Sequence, residues 1–370
     1  MLEWIITHAP DDAFLYLQLV SGKTSWLETN GYQPLWAFVL APFGLFLEGE
    51  VLMWVALVLY FGILIAIPFV VRKLYHTWWG LLVLFIPALL SGNLMMELPL
   101  AVLVVFIAVR YKRPETSVLM IYARMDLFPL ALMITPVRQW WKLALYYSPW
   151  VIFNLVVFGT IFPDSMLHYA YYFVGLSHML YCLQLQYTIP FLVVGIIGCL
   201  RNHKQLLIQF ILLFTFDTIR GAPYMWHYVV LPVIIVLGTK DLYEYLSSKV
   251  KVKKDKKIML ALLLLPALLA IPSINIHFKY NFVYEWQTAM YESTNISVDG
   301  TLGAVNSGIQ GYFNDQKVYN LDGVFNHNVV WTDYIIDFEQ YIPAEYELVE
   351  FYQETSFGKF GLYRRIDEPN

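Results

Sequence analysis

Charge is scarce in this chain: Asp, Glu, Lys and Arg make up 14% of its 370 residues, against about 25% in soluble domains. Cysteine is scarcer, with Cys182 and Cys199 alone. Both lie in apolar sequence, and the helix between them would part them by about 25 Å, too far for a disulfide. Walker-loop, GxGxxG and HExxH patterns are missing, which leaves nucleotide-driven and zinc-protease readings without support. Met1–Pro10 lacks a basic start and carries Glu3, so no cleavable signal peptide is expected. A net charge of -4 argues against a nucleic-acid partner.

What is abundant is apolar. Hydrophobic residues reach 59%, aromatics 17%, and the mean hydropathy is +0.55. Val51–Val71, Thr77–Met96, Leu143–Pro163, Ser165–Leu200 and Gly221–Thr239 contain no Asp, Glu, Lys or Arg. Each approaches or exceeds the roughly 20 apolar residues that a spanning helix needs. The expected fold is therefore mainly α: a polytopic helical membrane domain of about eight to ten segments over residues 1–271.

The remainder differs in charge. Up to Ile271 there are 19 basic and 14 acidic residues, and from Pro272 onward 5 basic and 14 acidic. Residues 272–370 have no window long enough to span. They read as a small soluble α/β domain, with strands at Lys317–Leu321 and Leu362–Arg364 and a helix around Trp286–Tyr291.

Lys/Arg clusters prefer the cytoplasmic side. Here they fall at Arg72–Lys73, Arg110–Arg113, Arg138–Lys142, Arg201–Lys204 and Lys240–Lys257. Placing all five inside gives crossings at Met53–Val71, Thr77–Leu90, Leu98–Val109, Ala144–Phe162, Tyr187–Leu200, Gln205–Ile219, Tyr224–Leu237 and Met259–Ile271. It leaves the tail outside, with Ser165–Gln186 along the outer face. Pro34–Leu47 is short and reads as interfacial. Ser117–Thr135 has basic clusters on both sides and holds Arg124, Asp126 and Pro129. It is expected to be a broken, re-entrant segment with Arg124 and Asp126 paired, unless one basic cluster is misplaced.

Several polar residues invite two readings. Asp11 and Asp12, in the outer-face acidic loop 8–34, are either helix caps or a carboxylate pair serving as base or metal ligand. Glu97 is either a headgroup-facing residue or a functional carboxylate within the membrane. Asp217 and Arg220, at i and i+3, can pair, or Arg220 can meet a lipid phosphate. Asp164 follows a helix end and suits a loop as well as a site. His227, near the outer rim, is the histidine best placed for a role; the eight histidines show no metal spacing. Asn295-Ile296-Ser297 is a glycosylation sequon, and Lys249–Lys257 a topology anchor.

A family resemblance joins these residues. Asp11-Asp12-Ala13-Phe14-Leu15-Tyr16-Leu17, followed by Thr29-Asn30-Gly31-Tyr32-Gln33-Pro34-Leu35-Trp36, resembles the opening of GT-C membrane glycosyltransferases of the mannosyl- and aminoarabinose-transferase type. Met96-Glu97-Leu98-Pro99-Leu100 is similar to their second-loop motif, and Ala123-Arg124-Met125-Asp126 to their Arg-x-Asp segment. Asn154 with Phe158-Gly159-Thr160-Ile161-Phe162-Pro163-Asp164-Ser165 resembles their Asn…Phe-Gly…Pro-x-Ser stretch. Gly311-Tyr312-Phe313 and Asn320-Leu321-Asp322-Gly323-Val324-Phe325-Asn326 resemble their tail signature. The chain departs from the family in three places. No first helix precedes the acidic pair, Leu167-His168-Tyr169 stands where many members have a Lys, and His227-Tyr228 replaces Arg-Tyr.

The resemblance implies a GT-C fold and transfer of a sugar from a polyprenyl-phosphate donor to an extracytoplasmic lipid, glycan or protein acceptor, in the cell membrane. It implies Asp11 or Asp12 as base, Glu97 and Asp164 placing acceptor or metal, and Arg220 and His227 on the phosphate. A divalent cation such as magnesium or manganese stays open, and no nucleotide cofactor is expected. A lipid-saccharide flippase or transporter, and a catalytically idle relative, are the competing classes.

Overall fold

In the computed structural model of this chain, the described residues are 5–6, 9–90, 94–161, 189–220, 228–250, 282–305, 307–321, 331–355 and 358–366. The helices are α1 (Asp11–Val20), α2 (Pro34–Gly44), α3 (Gly49–Tyr75), α4 (Leu98–Tyr111), α5 (Pro114–Ala123), α6 (Phe128–Ile134) and α7 (Trp140–Phe158). They continue with α8 (Ile189–Asn202), α9 (Lys204–Arg220), α10 (Val230–Val250), α11 (Phe282–Glu292) and α12 (Gly308–Phe313).

The expected polytopic GT-C domain of eight to ten membrane segments is corrected here. Among the described residues only two helical stretches are long and apolar enough to cross a membrane, Gly49–Tyr75 and Val137–Phe158. The reason lies in helix continuity. Thr77–Leu90, an uninterrupted apolar run, folds as a 3₁₀ stretch Trp79–Phe85 and a single turn Pro87–Leu90. Helices α4 and α8 have 14 residues each, about 21 Å at 1.5 Å per residue, short of a 30 Å hydrocarbon core. Of Tyr224–Leu237, residues 224–227 lie outside the described residues, and α10 runs from Val230 on into the charged stretch to Val250. Met259–Ile271 and Ser165–Gln186 lie outside the described residues.

Both long helices carry exposed apolar side chains. Val51, Val58, Ile65 and Phe69 are exposed on α3, and Trp141, Leu145, Ile152, Leu155 and Val156 on α7. Apolar surface of this extent marks a membrane contact, and the chain is accordingly membrane-associated.

Ser117–Thr135 is broken, as expected. Helix α5 stops at Ala123, Arg124 is extended (φ -158°, ψ 119°), and a 3₁₀ turn Met125–Leu127 leads into α6. Pro129 falls in the first turn of α6, where its missing N–H costs nothing. One large core lies between α3, α4, α5, α8 and α10. There α8 and α10 approach so closely that a Cβ on Gly198 would lie 1.8 Å from the Gly238 carbonyl oxygen.

The tail forms a five-stranded sheet in the order β2-β1-β3-β5-β4, from β1 (Leu302–Ala304), β2 (Val318–Asn320), β3 (Tyr334–Phe338), β4 (Tyr346–Thr355) and β5 (Gly358–Arg365). The expected strands and the helix around Trp286–Tyr291 are present. β1 is parallel to both β2 and β3, while β5 is antiparallel to β3 and β4. Parallel neighbours need a crossover, and α12 lies in the one joining β1 to β2. That crossover helix packs on α1. A second core accordingly runs without interruption from Phe14, Leu17 and Trp36 into Ile309, Tyr312 and Ile336 of the tail.

Candidate active site

The two members of the acidic pair have different surroundings. Asp11 is buried, and its two carboxylate oxygens accept from the backbone N–H groups of Gly308 and Ile309, each at 2.8 Å. The expected capping was of the helix that Asp11 itself opens; these two bonds instead cap the tail helix α12. The fit requires glycine, because a Cβ at position 308 would lie 2.1 Å from the Asp11 carbonyl oxygen. One face further along α1, Gln18 donates to the carbonyls of Ser307 and Gly308 at 2.9 Å. Lys23 reaches the Tyr312 carbonyl at 2.5 Å, and Gln287 of α11 donates to the Ala9 carbonyl. Asp12, the next residue, is exposed.

One turn after Asp12 comes Tyr16, which faces inward. Its hydroxyl accepts from the Gln33 backbone N–H at 2.8 Å and donates to Glu97 Oε2 at 3.4 Å. Burial, then the neighbouring Glu97 carboxylate, holds the Tyr16 phenol well above its usual range, so it remains a proton donor. Glu97 is 1% exposed and its Oε1 meets Arg124 Nη1 at 2.7 Å. The guanidinium, 4% exposed, also grips Asp126 with two bonds: Nη2 to Oδ2 at 2.8 Å and Nε to Oδ1 at 3.2 Å. This is the expected Arg124–Asp126 pair with Glu97 added.

Local backbone explains why these groups meet. Met95 adopts a left-handed conformation (φ 63°), uncommon for a residue with a side chain. Its carbonyl is held by the Trp36 indole N–H at 2.8 Å. That turn delivers Glu97 to the first residue before α4. The extended backbone at Arg124 points its side chain toward Glu97 instead of along a helix face. Gln33 Oε1 accepts from the Met125 N–H at 3.2 Å, and Gln209 of α9 donates to the Asp126 carbonyl at 2.8 Å.

Four separate motifs thus converge on one buried polar network, with its ionic charge summing to -1 over Glu97, Arg124 and Asp126. A buried ion pair of this sort needs its remaining hydrogen bonds satisfied to be tolerated, and Tyr16 contributes one of them. Asp126, with a side chain 23% exposed, is its outlet to solvent. Tyr16, Gln33 and Gln209 escaped the sequence reading. Tyr16 lies at i+4 from Asp12, on the same helix face, and that spacing was the available signal; Gln209 offered none.

Of the other predicted residues, Arg220 ends α9, with its side chain outside the described residues. Asp164 and His227 lie outside them altogether. Among the described residues no three His, Cys, Asp or Glu side chains converge to hold a metal ion. Neither models of known protein families nor curated protein sequences match this chain.

Proposed function

We propose that this chain is an integral, multi-pass protein of the cell membrane, with its tail extracytoplasmic. In this reading it transfers a sugar from a polyprenyl-phosphate donor to an acceptor hydroxyl. The observation that carries the proposal is the convergence of Tyr16, Gln33, Glu97, Arg124 and Asp126 in one buried network, with Tyr16 one helical turn after the exposed Asp12.

The bond between the sugar C1 and the donor phosphate oxygen breaks, and the phosphate leaves with its electron pair. C1 develops oxocarbenium character, the acceptor oxygen bonds to it, and a carboxylate takes the acceptor proton. Asp12 is assigned that base, because both oxygens of Asp11 are occupied by backbone N–H groups. Glu97 is assigned to fixing Arg124, not to holding acceptor or metal. Asp164 on the acceptor and Arg220 and His227 on the phosphate rest on the family resemblance.

The test is transfer of labelled sugar from a polyprenyl-phosphate donor by the purified full chain in lipid. Asp12→Asn should cut turnover by about 10²–10⁴-fold, the usual range for general acid–base groups, with an unchanged melting temperature. Asp11→Asn should lower the melting temperature and spare most of the turnover. Loss of turnover in Asp11→Asn alone would move the base to Asp11, and two active variants would end the assignment.

A further inference from the structure

The inner face of α7 carries polar groups that a helix crossing a membrane has no structural need for. Tyr147, Trp150 and Asn154 follow one another at spacings of three and four, on one helix face. Asn154 is 1% exposed. Its amide nitrogen donates to the Trp150 carbonyl of its own helix at 2.9 Å, which leaves Oδ1 buried with no hydrogen-bond partner among the described residues. Exchanging the amide atoms does not help, since an oxygen would then face the Trp150 carbonyl. The Tyr147 hydroxyl is likewise buried and has no hydrogen-bond partner among the described residues. Buried polar atoms are nearly always satisfied. Two exceptions one after the other on a membrane helix, with an indole between them, ask for a hydroxyl-bearing ligand.

The neighbours place this face beside the ionic network. The Tyr32 ring meets Trp150 edge-on at 5.5 Å, and Tyr32 precedes Gln33, which holds Met125. The Tyr122 ring lies 5.5 Å from that of Tyr147, and Tyr122 is two residues before Arg124. Both contacts lead to the same network, one from each side. Aromatic rings alternating with amide and phenol groups suit the apolar faces and hydroxyl edge of a sugar.

We infer that Tyr147, Trp150 and Asn154 form the subsite that recognises the hydroxyls of the sugar on a lipid-linked donor, with Asn154 Oδ1 as acceptor for one of them. This rests on the glycosyltransferase reading for the class of ligand, but it is tested by binding alone.

The probes are decaprenyl phosphates bearing mannose, glucose, galactose or arabinose, compared with bare decaprenyl phosphate, titrated into the full chain in lipid nanodiscs. The parent should prefer at least one glycosylated probe over the bare lipid by about tenfold, the scale of one to two neutral hydrogen bonds. Asn154→Leu should erase that preference, leave bare-lipid affinity unchanged, and melt no lower than the parent, because it removes an unsatisfied buried amide. Tyr147→Phe, the milder change, should reduce the preference about threefold and decides the question where Asn154→Leu fails to fold. Equal affinity of the parent for every probe, or a preference that survives both substitutions, would overturn the inference. Sugar-dependent binding without transfer would sink the enzymatic reading and keep the subsite. Transfer by a protein whose preference ignores position 154 would do the reverse.

Discussion

Replacing Arg124 with Met should be among the most damaging single changes in this chain. Its guanidinium is the only cation of the described ionic network, between Glu97 at 2.7 Å and Asp126 at 2.8 Å. Without it Glu97, 1% exposed, is a carboxylate stranded in protein, and the net charge of the group goes from -1 to -2. Breaking a buried pair in this way costs about 3–5 kcal/mol, a large share of the 5–15 kcal/mol typical of whole domains. The partners should matter unequally. Glu97→Gln leaves Arg124 paired with Asp126 and keeps an acceptor for Tyr16, so about 2 kcal/mol is expected, the value of one charge-assisted bond. Asp126→Asn touches a side chain 23% exposed and should cost about 1 kcal/mol or less. Combining Arg124→Met with Glu97→Leu removes the stranded charge along with its cause, so the double variant should be more stable than Arg124→Met alone. Thermal and denaturant unfolding of the purified chain in one detergent would rank the four. An Arg124→Met variant no less stable than Asp126→Asn, or a double variant no more stable than Arg124→Met alone, would refute the network.

Three further outcomes are expected. Gly308→Ala should undock α12 from α1, because its Cβ would lie 2.1 Å from the Asp11 carbonyl oxygen. Limited proteolysis should then cut the tail faster, whereas Gly62→Ala, with nothing within 4 Å, should be neutral or slightly stabilising. Gly198→Ala should force α8 from α10 and lower stability by about 1–3 kcal/mol, visible as a reduced melting temperature. In the tail, the Thr301 backbone N–H and then its hydroxyl hold the Asp333 carboxyl below its ordinary value of 3.8. Because the folded value is the lower one, that contribution is complete above about pH 4 and fades as the pH falls through the folded value. The protection of the Thr301 amide against exchange, relative to its intrinsic rate at each pH, should therefore fall below about pH 4 in the parent and show no such step in Asp333→Asn.

Much of the local structure was legible from residue order. The broken segment at Arg124 followed from two charges and Pro129 in an apolar run, and the tail strands followed from apolar strings between turn residues. Membrane association followed from the scarcity of charge over Val51–Val71 and Leu143–Pro163. The number of crossings did not follow, because hydropathy reports what a segment can dissolve in and not whether its helix is continuous. Thr77–Leu90 is as apolar as α3, yet it folds into two short pieces that pack against α3 and α10 instead of forming a spanning rod.

The candidate site divides in the same way. Residue identity was enough to single out Asp11, Asp12, Glu97, Arg124 and Asp126, since buried or paired charge in apolar sequence is costly and conspicuous. Only the tertiary structure decided what each one faces. Asp11 and Asp12 are adjacent in the chain, but successive helical residues point about 100° apart. One therefore turns into the tail and takes two backbone N–H groups from a helix almost 300 residues away, while the other turns to solvent. Glu97 and Arg124 are 27 residues apart, and no local rule pairs them. The left-handed turn at Met95 and the extended backbone at Arg124 bring them together, and both depend on contacts, from Trp36 and Gln33, that exist only once the chain has folded.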